Sequence, residues 1–312
     1  MSGPSPLVSV IINAYNGERY LRETIESVYA QTLQDFEIVL FDDASTDATP
    51  EIARSFDGRL RYFSCERPVS LGEARNRALD QALGKYLSFL DQDDLFLPKK
   101  LERQVAAFQG NVGLVFSNCY ILWENFGRET LRYKSRPVDG DAFRALLRGY
   151  YLSINTVMIR RNALPMEREW WFPSSFMMCE ETDLFLRLAY AYPIAYVDEP
   201  LAKYRVHGGN FSILHREHLS SEQNRMIERL GEAIPDFFSR YAVEISSLRH
   251  EIKRTEAQFL WRGGRNLMAW ANYLKILLQR PTLSLLAEFA LCLFIPFETW
   301  RSIRERLGKP IL

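Results

Sequence analysis

The chain has 312 residues, enough for one large domain or two smaller ones, and its 47% apolar and 25% charged residues fit an ordinary globular protein. Its formal net charge is zero, which gives the whole chain no bias toward nucleic acid. The balance hides an asymmetry, because eleven Lys/Arg stand against five Asp/Glu from Ser246 onward, a net +6 that leaves −6 on the remainder.

In chain order, Val8 to Ala14 is apolar and β-branched and reads as a buried strand, ended by Asn16-Gly17. A helix follows from Glu18 to about Gln31, with Tyr20, Leu21, Ile25 and Val28 at helical spacing. Phe36 to Phe41 is a second buried strand, closed by Asp42-Asp43-Ala44-Ser45. Thr49-Pro50 has the form of an N-cap followed by proline at the first helical position. Leu60 to Ser64 is a short third strand. Ser70-Leu-Gly-Glu73 is a capping box for a helix running to about Leu83. Tyr86 to Leu90 is a fourth strand and Pro98 opens another helix.

This alternation predicts a mostly parallel sheet with helices on both faces, and right-handed crossovers put the ends of the second and fourth strands on one sheet edge. Val112 to Trp123 and Ser153 to Arg160 are further strands, with a helix between them near 143–149. Thr182 to Tyr190 is an amphipathic helix entered through Cys179-Glu180-Glu181. Ile194 to Val197 and Leu201 to Val206 are strand pieces. After His207-Gly208-Gly209-Asn210 the pattern is helical, so the expected domains are 1–210 and 211–312.

The fourth strand delivers Asp91-Gln92-Asp93-Asp94 to the carboxyl edge of the sheet, where α/β folds bind ligands. Carboxylates so close together suit a divalent cation, with Mg²⁺ or Mn²⁺ the fit for oxygen ligands plus phosphates. Acids at strand ends also serve as turn formers and caps, and the tetrapeptide alone leaves both readings open.

Six motifs in order remove much of that ambiguity. They are Ser9-Val-Ile-Ile-Asn13-Ala14-Tyr15-Asn16, Asp42-Asp43-Ala-Ser45-Thr46-Asp47, Gly72-Glu-Ala-Arg75-Asn76, Leu90-Asp91-Gln92-Asp93-Asp94, Glu180-Glu181-Thr-Asp183, and Tyr204-Arg205-Val-His207-Gly-Gly-Asn210-Phe-Ser212. Over about residues 7–212 the chain resembles the family-two glycosyltransferases. The resemblance implies a GT-A fold, a Rossmann-like nucleotide-diphospho-sugar transferase architecture, with a C-terminal helical extension added here. It also implies inverting transfer of a sugar from a nucleotide-diphospho-sugar to an acceptor hydroxyl.

By that resemblance Asn13, Ala14 and Tyr15 line the nucleoside pocket, with Tyr15 stacking on the base. Asp43 meets the base imide, favouring a UDP- or dTDP-sugar. Arg75, Asp91 and Gln92 fall in the donor site, although Arg75 equally suits an ion pair with a nearby acid. Asp93 is the expected ligand of Mn²⁺ or Mg²⁺, and His207 lies near metal and diphosphate as a second ligand. Glu181, with Glu180 in reserve, is the expected general base. The family's usual pair is Glu-Asp, so the second Glu departs from its pattern, and acids there also favour a helix start. His215 and His218 read as surface residues.

The four cysteines (Cys65, Cys119, Cys179, Cys292) are scattered without Cys-x-x-Cys, which argues against a zinc site or disulfide framework and for buried thiols. The first residues, Met-Ser-Gly-Pro-Ser-Pro, lack the basic region of a signal peptide, and no run reaches eighteen uncharged apolar residues. Leu283 to Phe297 is apolar but interrupted by Glu288 and Pro296, and Arg301, Arg304 and Arg306 follow. That pattern suits an interfacial helix with a basic flank, or a helix packing on protein, including a second subunit in a homo-oligomer.

The expectation is a cytoplasmic enzyme, peripheral at the inner face of the cytoplasmic membrane. It takes a nucleotide-diphospho-sugar donor and a glycan or lipid-linked acceptor, binds no nucleic acid, and acts non-processively in bacterial-type surface polysaccharide assembly. Gln258-Phe-Leu-Trp261-Arg262 only approximates the Gln-x-x-Arg-Trp of processive synthases. The alternative is a non-catalytic nucleotide-sugar-binding or scaffold protein of a glycan assembly complex.

Overall fold

The structure, a computed structural model, describes residues 5–306. The chain divides between His207 and Gly208 into two compact units. The first carries β1 (Val8–Ala14), α1 (Leu21–Tyr29), β2 (Phe36–Asp42), α2 (Thr49–Arg54), β3 (Leu60–Ser64), α3 (Leu71–Gln81) and β4 (Tyr86–Asp91). It continues with β5 (Leu95–Phe96), α4 (Lys100–Ala106), β6 (Leu114–Trp123), β7 (Arg128–Leu131), α5 (Phe143–Arg148), β8 (Met158–Arg160), α6 (Glu180–Ala191) and β9 (Ile194–Val206).

The sheet runs β3-β2-β1-β4-β8-β6-β9-β5, with β7 added on β6. Strands β3, β2, β1 and β4 are mutually parallel, as is the β6–β9 pair, whereas β8, β5 and β7 enter antiparallel. The mostly parallel, helix-covered sheet read from the sequence is therefore present, with its antiparallel members all downstream of β4.

Alternation along the strands builds two apolar layers. Val8, Val10 and Ile12 of β1 pack with Ile38 and Leu40 of β2 under Leu21, Ile25 and Val28 of α1. On the opposite face Ile11, Val39, Leu87 and Phe89 are buried, and Phe89 meets the Phe172 and Phe185 rings edge-on or tilted.

Departures from expectation have local causes. Helix α1 starts at Leu21 rather than Glu18, because the Gly17 and Glu18 N–H groups donate to Thr49 Oγ1 (2.8 Å) and Asp47 Oδ2 (2.9 Å). Thr49 is thus not the N-cap of α2; Asp47 Oδ1 accepts its N–H at 3.0 Å. The capping box is half made: Ser70 Oγ accepts from Glu73 N, but the Glu73 carboxylate goes to Arg77 and Arg168.

The expected strand 153–160 shrinks to β8 after a 3₁₀ turn at Ile154–Thr156, where Thr156 Oγ1 donates to Ser153 O and competes with ladder pairing. The two late strand pieces are one strand, β9. Its Pro200 is accommodated where the register against Ser117, Asn118 and Cys119 shifts.

The second unit is helical: α7 (Phe211–Leu214), α8 (Leu219–Ala233), α9 (Phe237–Arg240), α10 (Ala242–Arg262), α11 (Asn266–Gln279), α12 (Leu283–Phe294) and α13 (Phe297–Arg306). Leu260, Trp261, Tyr273, Ile276 and Leu285 form part of its core. No single helix among the described residues is long and apolar enough to cross a membrane. Leu283–Phe294 and Phe297–Arg304 reach that hydropathy only together, and they bend by 113° at the intervening Ile295-Pro296.

Candidate active site

The parallel register brings the carboxyl ends of β1, β2 and β4 together: Asn13 lies opposite Asp91, and Ala14 opposite Asp42. Two loops above them are locked by side chains. Asn16, at φ 48°, donates its N–H to Ser45 Oγ (2.9 Å) while its Oδ1 accepts from Thr46 N (2.9 Å). Asp42 is buried and supports the turn, accepting from Ser45 N (2.9 Å) and Tyr62 OH (2.6 Å).

Asp43 is partly buried beside it. Its Oδ1 accepts from Val69 N (2.8 Å) and from the Cys65 thiol (3.3 Å), its own N–H reaches Ala14 O, and its carboxylate is thereby oriented. Tyr15 leaves its ring 52% exposed, an open platform. The Gln92 carboxamide is spent on it, accepting from Tyr15 N (2.8 Å) and donating to Tyr15 O (3.1 Å). Gln92 therefore holds the platform. Among the described residues Asn13 Nδ2 is a buried donor without a protein acceptor, a costly state that a ligand oxygen would relieve.

The Gly72-to-Asn76 motif has a mechanical explanation. A Cβ on Gly72 would lie 2.6 Å from Pro173 O, so only glycine lets α3 approach that backbone. Asn76 then clamps Phe172 from both sides, donating to its carbonyl (2.8 Å) and accepting from its N–H (3.0 Å). Between them Arg75, 3% exposed, is fixed in the floor of the site. Its Nη2 donates to Asp91 Oδ1 (3.0 Å), and its Nη1 to Glu180 Oε1 (2.5 Å) and Glu181 Oε2 (3.5 Å).

The first turn of α6 supplies Glu180, Glu181 and Asp183, where the helix dipole favours negative charge. Asp183 is paired within its helix, its Oδ2 lying 2.6 Å from Arg187. Glu181 is different, because one guanidinium serves three carboxylates. Burial pushes Glu181 up to about 8; Arg75 opposes the rise, and the charges of Glu180 and Asp91 add to it. Burial likewise raises Asp91, with Arg75 opposing and Asp93 adding.

Asp93 Oδ2 lies 2.8 Å from His207 Nε2, and the Tyr20 ring sits 4.9 Å from the imidazole. A carboxylate beside an imidazole at a strand end is a donor set that fits Mn²⁺ or Mg²⁺ completed by phosphate oxygens. Asp94 belongs elsewhere. It is fully buried and ties β4 to β9 and to the 154–156 turn, accepting from Arg205 N (2.8 Å) and Asn155 Nδ2 (2.7 Å). Burial holds it well above the usual carboxylate range, with Asp93 and Asp91 adding to the rise.

Sequence reasoning missed several neighbours. Glu124 accepts from Tyr20 OH and Arg19 Nη2. The charge of Arg132 is felt at Glu181, and that of Glu181 at the buried Tyr150 hydroxyl, which burial pushes well above its ordinary value. These residues carry no local motif; only the folding of the 124–156 stretch brings them to the site.

The profile of glycosyl transferase family 2 matches residues 9–164, half of the chain. A protein of Rickettsia felis described as an uncharacterized glycosyltransferase is 33% identical over 204 residues, which are 65% of this chain but a third of that one. Another, from Methanocaldococcus jannaschii, is 31% identical over 64% of this chain and 71% of its own length. Among solved structures, Staphylococcus aureus TarS 1–349 in complex with UDP-GlcNAc aligns with a TM-score of 0.61 at 19% identity, over 98% of this chain and 93% of that one. The mannosyltransferase PcManGT from Pyrobaculum calidifontis, in complex with GDP-Man and Mn²⁺, gives 0.61 at 19%, over 97% and 85%. At that identity the two structures speak to the fold, which is of the GT-A type.

Proposed function

This chain belongs to glycosyl transferase family 2 and is a glycosyltransferase, and from that premise we propose an inverting, non-processive, metal-dependent transfer from a UDP- or dTDP-sugar to a hydroxyl of a glycan or lipid-linked acceptor. The setting is bacterial-type surface polysaccharide assembly. The observation that carries the reading is the Arg75 cluster, in which one buried guanidinium joins the strand-end Asp91 to Glu180 and Glu181 at the start of α6. Donor-side acid and candidate base thus share one rigid partner, the kind of fixed geometry that transfer between two bound molecules requires.

In this reading the base of the donor stacks on Tyr15, and Asn13 Nδ2 meets a donor oxygen. Asp43, oriented by Val69 N, accepts from a pyrimidine imide. Asp93 and His207 would hold a divalent cation, whose chemistry is to neutralise charge on the departing nucleoside diphosphate. Glu181 takes the proton of the acceptor hydroxyl as that oxygen bonds to the sugar C1 and the bond from C1 to the diphosphate oxygen breaks. Attack on the face opposite the leaving group inverts the anomeric centre. The nucleotide-sugar complexes of the two structural neighbours, one of them with Mn²⁺, support a donor and a cation of this class.

Peripheral contact with the cytoplasmic membrane is part of the proposal. It is supported by Leu283, Leu293 and Phe294 of α12, 88%, 47% and 77% exposed, and by the basic residues of α13. The deciding experiment is a calorimetric titration of UDP, TDP, GDP and ADP, each with and without Mn²⁺ or Mg²⁺. Cation-dependent binding of UDP or TDP is expected. Preference for a purine diphosphate would overturn the role given to Asp43, and no binding to any of the four by folded protein would sink the donor site.

A further inference from the structure

The second unit has a groove of its own, unrelated to the residues above. On α10, Ile245, Arg249, His250 and Lys253 fall at spacings that keep them on one helix face. They line a cavity of about 550 Å³ whose other walls include Phe238 of α9 and Arg280 at the end of α11. One part of the wall is apolar, with Ile245 buried and Phe238 45% exposed. The remainder is mostly polar, with the cations Arg249, Lys253 and Arg280 beside Ser246, His250 and Gln279, and among the described residues no carboxylate lines it.

The positive charge there is only partly compensated. Arg249 lies 3.3 Å from Glu228, but both side chains are at least half exposed, so the pair is weak. Arg280 donates to two neutral hydroxyls, Ser247 Oγ at 3.2 Å and Ser246 Oγ at 3.1 Å, which hold its guanidinium against α10. Among the described residues neither Arg280 nor Lys253 forms an ion pair. Burial holds His250 below its ordinary value; Glu251 opposes this, while Arg280, Arg254 and Lys253 deepen it, as expected of an imidazole in a residual positive field.

Cations from two helices, one pre-positioned by hydroxyls, converge beside an apolar wall. We propose that this groove binds the phosphate or diphosphate group of an amphiphilic phosphate, with Arg249, Lys253 and Arg280 on the oxygens and Phe238 and Ile245 on the apolar part. The same chemistry is offered by a lipid headgroup and by a soluble phosphate compound. The proposal is independent of the donor reading, since every residue it uses lies in the second unit.

The test uses the full chain, without divalent cation, and inorganic pyrophosphate as probe. The reporter is the ring-proton resonance of His250, assigned with His250→Gln, because an anion in the groove raises the pKa of that imidazole. Pyrophosphate is expected to shift the His250 titration upward, and the double variant Lys253→Gln/Arg280→Gln to weaken that response by about tenfold or more. Lys275→Gln, an exposed residue of α11 outside the groove, removes the same kind of charge and should change the response by less than about twofold. Co-sedimentation with phosphatidylcholine vesicles with and without phosphatidylglycerol separates the sources. Retention on anionic vesicles that the double variant loses assigns a lipid headgroup, and retention that is absent or insensitive to it assigns a soluble phosphate. A His250 titration unmoved by pyrophosphate, or equal weakening by Lys275→Gln, overturns the site.

Discussion

Two sets of acids stand within a few residues of one another in the chain, Asp94 beside Asp91 and Asp183 beside Glu180 and Glu181, and they are built oppositely. Asp94 accepts from Arg205 N and Asn155 Nδ2, and Asp183 is paired with Arg187 within one helix turn. Asp91, Glu180 and Glu181 share a single guanidinium, and Asn13 nearby keeps a buried N–H without a protein acceptor. Polar groups that hold a fold are mostly satisfied by it, because each unmet one costs stability, although Asn155 too keeps a buried Oδ1 without a hydrogen-bond partner among the described residues. A local deficit that the fold tolerates marks the place where a ligand completes the accounting.

The largest effect expected from this contrast is on Glu181. Glu181→Gln removes the proton acceptor but keeps the shape, so kcat should fall by roughly 10²–10⁴-fold with donor affinity held within a few-fold. Turnover at the original rate would pass the base role to Glu180 or elsewhere.

The pH dependence follows in size. A carboxyl raised to about 8 is protonated, and useless as a base, below that pH. The kcat/KM should therefore rise about tenfold per pH unit up to about 8 and then level, and Glu181→Gln should flatten the slope. The same shift acts on stability with the opposite sense. The folded site holds this proton more tightly than an unfolded chain does, so the contribution is complete below the ordinary carboxylate range and is lost as pH rises through about 8. A rate that falls between pH 6 and 8 would contradict the assignment.

Asp94 should behave as a residue of the fold. Asp94→Ala strands the Arg205 N–H and the Asn155 amide in a dry interior, each at an expected cost of about 1–3 kcal/mol in denaturant unfolding. Near-native stability with lost metal-dependent donor binding would move Asp94 into the site. A smaller effect is expected at Tyr15, where Tyr15→Ala should weaken nucleoside diphosphate binding by about 1–3 kcal/mol without changing the unfolding midpoint. An unchanged affinity would leave the exposed ring without a role.

The same contrast explains what the sequence could disclose. Strands β1, β2 and β4 are largely apolar runs, β2 and β4 ending in acids, so their length, direction and shared edge follow from pattern and crossover handedness. Arg75 could be named but not given a role, because a guanidinium equally suits a phosphate or an acid. The choice depends on α6, some hundred residues later, folding its first turn against α3. The turn at Ile154–Thr156 reads as strand because nothing local reveals that Asn155 is claimed by Asp94, sixty-one residues earlier. Arg132 and Tyr150 escaped for the same reason: the charge of Arg132 reaches Glu181, and that of Glu181 reaches Tyr150, through space alone.

The smallest effect is the most diagnostic, because its sign separates the two kinds of residue. Asn13 Nδ2 is desolvated without a protein acceptor, so Asn13→Ala deletes an unpaid burial along with a small amount of packing. The two terms are each about 1 kcal/mol and opposed, leaving the unfolding midpoint nearly unchanged or slightly raised. Donor affinity should nevertheless drop, since the lost N–H is one that the ligand alone satisfies. A residue of the Asp94 type loses stability first and binding only as a consequence. If Asn13→Ala destabilises the fold by several kcal/mol with donor affinity intact, Asn13 belongs with Asp94, and an unmet donor at this edge ceases to point to a ligand.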